Sequence, residues 1–318
     1  MIKKIMILAG GGGHTGYACI LAEELENKAE LYFLAPDDDP LSVSRLEPYG
    51  QVLTITKPRH PTTPSWIFIF RLMKAFYQSL GKITRKYDVV VSTGSNFCVP
   101  PALMAWMKGI PLVNLESRVR LHSPSKTAWI LQYFAKITAL QWEEQNRFLK
   151  GTVFGPLLPK KRVAPWNGGY VLVTGGTYGY KELFDAVSES NLDNIVLQTG
   201  NLDGSVYKQR HPKWKVISFT DRFDELLAGA EVVVCPPGGT PVEAVSYGKP
   251  VVIVRYPSWT KAASAEDTQA FTEKLNASYL VSISSSNIIA AITEAKGKKS
   301  PILKDGTKDL ANKILSLC

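Results

Sequence analysis

The sequence predicts an α/β protein of two doubly wound domains, each built on a mostly parallel sheet. Three observations carry this expectation. Short apolar runs alternate with longer helical stretches through both halves of the chain. Glycine turns follow such runs in corresponding places: Gly10-Gly11-Gly12-Gly13-His14-Thr15 after residues 5–8, Gly175-Gly176-Thr177 after 170–173, and Gly238-Gly239-Thr240 after 232–234. Finally, 318 residues is the length of two ordinary domains. Buried strand, glycine turn, helix is the arrangement that brings backbone N–H groups and a helix N-terminus to a phosphate. One such turn says little. Turns in both halves point to two nucleotide-binding-type domains facing each other across a cleft.

In the first half, strands are expected at 3–9, 30–35, 51–55, 88–92 and 111–115. Helices are expected near 15–27, 41–48, 65–86, 98–108 and 125–137. Phe154-Gly155-Pro156-Leu157-Leu158-Pro159 and then Pro165-Trp166-Asn167-Gly168-Gly169 read as an interdomain linker over 153–169, between domains at 1–152 and 170–318. The alternation then restarts, with strands at 170–174, 194–198, 214–218, 231–235 and 251–254. A last helix, about 304–317, is a candidate to pack back across the cleft. In sheets of this kind ligands bind at the carboxyl ends of the strands.

Composition is globular, 45% hydrophobic and 20% charged. Cys19, Cys98, Cys235 and Cys318 share no C-x-x-C or C-x-x-H spacing, which argues against a zinc site or a disulfide framework. No apolar run reaches the roughly 18 to 20 residues that span a bilayer, and the first residues run straight into a strand, so no signal peptide is expected. Net charge is +9, and it is unevenly placed. Residues 57–136 hold twelve Lys/Arg against two acids, Asp88 and Glu116, while the rest of the chain nets −1. Such a field suits nucleic acid, an anionic membrane or a phosphorylated substrate, or is simply a basic surface.

His14 falls at or just inside a helix N-terminus. The helix dipole there disfavours the imidazolium, leaving a neutral ring able to accept a proton; the alternative is a helix-start histidine bonded to backbone. Ser92-Thr93-Gly94-Ser95 forms another strand-to-turn junction, where Gly94 and the N–H groups after it either hold a second anion or form an ordinary turn. Glu116 ends the strand at 111–115. It reads as a base, or as a partner for Arg118 and Arg120. Thr240-Pro241-Val242-Glu243 has the pattern of a capping box, and Glu243 equally suits the two hydroxyls of a ribose. Gln269, just before an amphipathic helix, suits sugar hydroxyls. Asp37-Asp38-Asp39 reads as a solvated acidic loop rather than a metal or ribose site, because the first glycine turn lacks the G-x-G-x-x-G spacing of dinucleotide enzymes. The stretch 65–77, with Trp66, Phe68, Phe70, Arg71 and Lys74, is too short to span a membrane. It suits lying on one, or forming a buried helix with a basic outer face.

Together these motifs resemble the lipid-linked N-acetylglucosaminyltransferases, which include bacterial MurG and the two-subunit eukaryotic enzyme that adds the second N-acetylglucosamine to dolichyl diphosphate. The resemblance rests on residues 10–15, on Ser92-Thr93-Gly94 followed by 102–116, on 174–177, and on 232–250 with Glu243-Ala244 and Tyr247-Gly248-Lys249-Pro250. The order of the pieces is similar to the eukaryotic membrane-anchoring subunit fused ahead of the catalytic one, as in archaeal single-chain members. The resemblance implies a GT-B fold of two Rossmann-like domains and an inverting reaction with no metal and no cofactor. It further implies UDP-N-acetylglucosamine as donor, a polyprenyl-diphosphate-linked sugar as acceptor, and an anionic membrane surface, with no nucleic acid, as further partner. His14 and Glu116 then match the family's catalytic histidine and glutamate. Gly12, Gly13, Thr15, Gly94 and Ser95 would meet the acceptor diphosphate. Gly175, Gly176, Thr177, Gly238, Gly239, Thr240, Glu243 and Gln269 would meet the donor, with helix N-termini at Thr177 and Thr240 receiving its diphosphate. Pro236-Pro237 departs from a usually more flexible, glycine-containing stretch. The implied place is the cytoplasmic face of the cell membrane, held there peripherally by the basic field and the face at 66–77. A MurG-type peptidoglycan lipid transferase, a soluble glycosyltransferase and a non-enzymatic nucleotide-sugar binder remain as alternative readings.

Overall fold

A computed structural model of the chain describes residues 2–60, 63–255 and 263–318. The chain divides into two compact units, Met1–Leu158 with Lys304–Cys318, and Pro159–Leu303.

The first unit is a seven-stranded sheet of β1 (Lys4–Leu8), β2 (Glu30–Pro36), β3 (Gln51–Ile55), β4 (Val89–Ser92), β5 (Leu112–Leu115), β6 (Ile137–Leu140) and β7 (Thr152–Val153). Their order is β3-β2-β1-β4-β5-β6-β7, and all pairs are parallel. Helices α1 (Gly13–Leu25), α2 (Pro40–Leu46), α3 (Ser65–Lys82), α4 (Val99–Met107) and α5 (Lys126–Leu131) cover its faces. The central strands read as unbroken apolar runs because both faces are covered: residues 5–8 and 89–91 are wholly buried.

The second unit repeats the plan with β8 (Tyr170–Thr174), β9 (Ile195–Gln198), β10 (Lys215–Ile217), β11 (Ala230–Cys235), β12 (Val251–Val254) and β13 (Ser278–Leu280), ordered β10-β9-β8-β11-β12-β13 and again parallel. Its helices are α6 (Lys181–Ser188), α7 (Ser205–Arg210), α8 (Phe223–Gly229), α9 (Gly239–Ser246), α10 (Ala265–Lys274) and α11 (Ser285–Lys296). The last helix, α12 (Thr307–Leu315), belongs to the first unit. Its Leu310, Ala311 and Ile314 join Tyr17, Ala18 and Leu21 of α1 in one core cluster, and Lys3 donates to the Leu315 carbonyl at 2.6 Å. Leu157 is buried in the same cluster.

Three strands differ from expectation. The helix expected over 125–137 stops at Leu131, and the chain re-enters the sheet as β6, paired with β5 from Val113↔Ile137. The short run Ile-Thr-Ala-Leu carries no period of its own; pairing with β5 decides its conformation. β7 and β13 are two- and three-residue edge strands, too short to show alternation.

In both sheets the strand order reverses between the first and fourth strands. These are the topological switch points, where loops from the carboxyl ends diverge to opposite faces and leave room for a ligand. The β1/β4 point is flanked by the turns at Gly10–13 and Gly94–Ser95. The β8/β11 point is flanked by those at Gly175–Thr177 and Gly238–Thr240. The glycine turns seen in the sequence thus occupy the two places where this fold binds its ligands.

Candidate active site

In the first unit the two turns at the switch point touch. A side chain on Gly10 would meet Ser95 Cβ at 2.5 Å and the Gly94 carbonyl at 2.9 Å, so only glycine fits there. α1 begins at Gly13 with Gly12 as its cap, which places His14 in the first turn. His14 Nδ1 lies 2.7 Å from the Thr93 carbonyl. A carbonyl only accepts, so Nδ1 carries the proton and Nε2 is left with its lone pair. Gly94 makes this contact possible: at φ +98, its Cβ would fall 2.9 Å from His14 Cε1 and 3.0 Å from Nδ1. Burial holds the His14 pKa below its ordinary 6.5; the Thr93 bond opposes that and the Lys57 charge adds to it. The ring is therefore neutral at pH 7. Ser95 follows with φ 76 and ψ 154, a region that side chains rarely adopt. The Gly12 and Gly13 N–H groups find no acceptor among the described residues.

Glu116, immediately after β5, is wholly buried. One oxygen accepts from the Ser117 N–H at 2.6 Å, the other from the Ser125 N–H at 2.8 Å. It ties the loop 117–125 across its base. Burial raises its carboxyl to about 7, while the hydrogen bonds from Ser117 and Ser125 and the Arg120 charge hold it from rising further. Arg118 turns away from it to Tyr17, its Nε donating to the tyrosine hydroxyl at 3.0 Å. Thr15 is a correction: its side chain is wholly buried and bonds Ser42 Oγ at 2.7 Å, so its hydroxyl faces the protein and not a ligand. Since Ser42 Oγ donates to Asp39, Thr15 is the donor to Ser42. Asp39 caps α2, Asp37 accepts from Thr56 and Asp38 pairs with His60, so each acid of that loop has a partner of its own. Among the described residues no group of three His, Cys, Asp or Glu is placed to hold a metal ion.

In the second unit, α9 starts at Gly239 with Gly238 as its cap and no side chain bonding the cap. Thr240 is therefore not the N-cap, and the capping box expected of Thr240 and Glu243 does not form. Two glycines lead the chain into the helix, and it starts two residues earlier than the Thr-Pro signal suggests. Glu243 folds back over the first turn, its Oε1 3.2 Å from where a Gly239 Cβ would stand. Its charge also reaches the buried Cys235 thiol, which is pushed up first by burial and then by Glu243. The carboxylate thus stands over the helix start.

Two further expectations change here. No helix begins at Thr177; α6 starts at Lys181. In the turn before Lys181, Gly176 and Gly179 take positive φ, the Gly176 N–H donates to Thr174 Oγ1 at 3.0 Å, and the Thr177 carbonyl accepts from the Asn201 N–H. The turn closes on its own neighbours, so it offers no helix dipole, and α9 alone presents a helix N-terminus from this pair of turns. Gln269 sits within α10 rather than before it, exposed and donating to Glu273 at 3.0 Å; Asp267, buried, forms the capping box with Ser264.

Two family models match the chain. Residues 5–157 match "Oligosaccharide biosynthesis protein Alg14 like", and residues 170–314 match the glycosyltransferase family 28 C-terminal domain. Together the two matches support the lipid-linked N-acetylglucosaminyltransferase family. A curated relative from Synechococcus elongatus, a UDP-N-acetylglucosamine–N-acetylmuramyl-(pentapeptide) pyrophosphoryl-undecaprenol N-acetylglucosamine transferase, is 28% identical over 301 residues, covering 86% of this chain and 80% of the relative. Among solved structures, MurG of Acinetobacter baumannii superposes with a TM-score of 0.65 at 18% identity, over 99% of each chain. A UDP-GlcNAc 2-epimerase from Neisseria meningitidis, bound to UDP-GlcNAc, does so with 0.64 at 13% identity, over 98% of each. At such identities the structures establish the fold, GT-B, and not the reaction.

One more feature lies on the surface of the first unit. Along α3, Trp66, Ile69, Phe70, Met73, Tyr77 and Leu80 are all at least half exposed, and only Ala75 and Ser79 are buried. The spacing of three and four puts them on one helical face. Phe68 is not part of it: half-buried, it lies under Arg59, whose guanidinium is 5.7 Å from the ring. Trp106, Met107, Trp129 and Tyr133 add exposed apolar area on α4 and around α5. The outer face of α3 is thus apolar, not basic. No described helix is long and apolar enough to cross a membrane.

Proposed function

We propose that the chain transfers N-acetylglucosamine from UDP-N-acetylglucosamine to a sugar hydroxyl on a polyprenyl-diphosphate carrier, with inversion and without a metal ion. One observation carries the reading. His14 stands at the β1/β4 switch point, neutral and with its Nδ1 proton fixed on the Thr93 carbonyl, which leaves Nε2 free to take a proton. The acceptor hydroxyl gives its proton to His14 Nε2 as it attacks the anomeric carbon, and the bond to UDP breaks on the opposite face. Glu116 is the weaker candidate for this base, because both of its oxygens already accept backbone hydrogen bonds. It positions the loop instead.

In the first unit the acceptor diphosphate meets the N–H groups of Gly12 and Gly13, with the Gly94–Ser95 turn beside them. In the second, the UDP diphosphate meets Gly238, Gly239 and Thr240 at the start of α9, where aligned N–H groups receive the charge of the departing nucleotide. Glu243 accepts from the ribose hydroxyls. Gly175, Gly176, Thr177 and Gln269 line the donor side. The face of α3, flanked by Arg71 and Lys74, rests on the anionic cytoplasmic surface of the membrane.

The oligosaccharide-biosynthesis match of residues 5–157 favours assembly of a lipid-linked oligosaccharide, which we read as dolichyl-linked and serving N-glycosylation, and the curated relatives, which act on a pyrophosphoryl-undecaprenol muramyl pentapeptide, favour a peptidoglycan lipid intermediate. Labelled UDP-N-acetylglucosamine offered with polyprenyl-diphosphate N-acetylglucosamine, with the undecaprenyl-diphosphate muramyl pentapeptide, and with each plus a chelator separates these readings. Transfer to neither acceptor refutes the proposal; loss of transfer with the chelator refutes its metal-free form.

A further inference from the structure

Among the described residues Arg118 has no carboxylate as counter-charge, which a buried guanidinium ordinarily has. It lies on the loop leaving β5, is 2% exposed, and its Nη1 is buried without an acceptor. The rest of the residue is pinned. Its backbone N–H and Nε donate to the Tyr17 hydroxyl at 2.9 and 3.0 Å, its carbonyl accepts from Trp142 Nε1 at 2.7 Å, and the guanidinium lies 4.5 Å over the Tyr17 ring. None of these partners is an anion. Glu116, two residues earlier, is spent on the Ser117 and Ser125 N–H groups. Withdrawing a cation from water without a carboxylate carries a large desolvation penalty, which a cation–π contact offsets only in part.

The surroundings say what would complete it. Tyr17 follows His14 by three residues on α1, and the two rings are 6.2 Å apart. The uncompensated charge therefore stands one side chain away from His14, at the carboxyl end of the sheet. A second cation reaches the Gly10–Gly13 turn that leads into α1: Lys57 Nζ is 3.1 Å from where a Gly11 Cβ would be, half-buried, with no hydrogen bond or ion pair among the described residues. Asp39 Oδ2 stands 2.9 Å from the same point, and both Asp39 oxygens accept from Ser42. With Nε engaged by Tyr17, the two Nη groups of Arg118 form a planar pair of donors, the geometry that matches phosphate oxygens.

We propose that Arg118 is the principal anion-binding side chain of the first unit, with Lys57 as its second cation, and that the ligand completing it is a diphosphate, that of the acceptor lipid. This rests on the reading that the first unit takes the acceptor.

The test is equilibrium binding to the full chain of inorganic pyrophosphate, of UDP, and of phosphatidylcholine vesicles carrying polyprenyl diphosphate or polyprenyl monophosphate, for wild type, Arg118→Gln, Arg118→Lys and Lys57→Gln. Arg118→Gln weakens pyrophosphate and lipid diphosphate about 10- to 100-fold, the worth of charge-assisted hydrogen bonds, and leaves UDP unchanged. Arg118→Lys recovers only part, because an ammonium lacks the fork. Lys57→Gln weakens the same two ligands by a smaller factor. Wild-type pyrophosphate and lipid-diphosphate binding in Arg118→Gln, even with a lowered Tm, overturns the assignment and leaves Arg118 a structural cation held by Tyr17. Equal losses for UDP and pyrophosphate also overturn it, since the ligand is then the nucleotide. A wild type that binds UDP but neither pyrophosphate nor lipid diphosphate refutes the acceptor reading itself. If Arg118→Gln does not fold, Arg118→Lys and Lys57→Gln carry the decision: unchanged binding in both overturns the proposal.

Discussion

Gly94→Ala disturbs the base without removing it. In the folded chain Gly94 has φ +98, and a Cβ built there stands 2.9 Å from His14 Cε1 and 3.0 Å from Nδ1. Ordinary contact begins near 3.4 Å, so the ring must withdraw by about half an ångström or more. Withdrawal by that much stretches the 2.7 Å bond to the Thr93 carbonyl to the outer limit of a hydrogen bond, and any more breaks it. Loss of that bond releases the tautomer that leaves Nε2 as acceptor. An alanine at positive φ adds about 1–2 kcal/mol of backbone strain. A displacement approaching 1 Å costs roughly a hundredfold in turnover, whereas His14→Ala, which deletes the base, costs roughly 10² to 10⁴. Steady-state kinetics on both variants, with urea unfolding and UDP titration alongside, give the comparison. Gly94→Ala is expected to lose about a hundredfold in kcat, to unfold at lower urea and to bind UDP as wild type does. Its remaining kcat/KM should fall on acidification at a pH different from the wild-type midpoint, which lies below 6.5. Wild-type turnover in Gly94→Ala, in a protein that is measurably less stable, would mean that the His14–Thr93 contact has no part in the reaction.

Three other outcomes follow. Glu116→Gln sets an amide NH₂ against a backbone N–H and costs about 1–3 kcal/mol in urea unfolding; it also flattens a slope. A carboxyl held at about 7 against an ordinary 4.5 binds more protons folded than unfolded, so wild-type stability falls as pH rises through that window. A variant with an unaltered pH slope contradicts this. Glu243→Ala weakens UDP binding, because its carboxylate stands over the start of α9; earlier melting with normal UDP affinity makes it structural. Trp66→Ser with Phe70→Ser reduces flotation with anionic vesicles at least tenfold, each ring withholding about 1.5–3 kcal/mol of apolar burial, and leaves Tm unmoved since both are exposed. Flotation that survives the change, or ignores salt, refutes the membrane role of α3.

The strand–turn–helix alternation is local chemistry, and it was legible residue by residue. Unbroken apolar runs such as Val89-Val90-Val91 can only be strands buried on both faces, and glycine is the residue that ends them wherever another backbone comes close. From these the sequence by itself determined two parallel sheets and the turns that now flank both switch points. Elements defined by pairing were not legible: β6, β7 and β13 are strands only because β5, β6 and β12 lie beside them. Hydroxyl and amide roles were likewise beyond reach. Thr15 turned to Ser42, Gln269 to Glu273, and the start of α9 settled on Gly239, each through a neighbour that position in the chain does not announce. Above all, only tertiary structure decided which nitrogen of His14 holds the proton and that Arg118 has none of the carboxylates its sequence neighbourhood offers. Both depend on which atoms come within 3 Å across segments up to a hundred residues apart, whereas glycine turns and apolar runs carry their conformational preference within themselves.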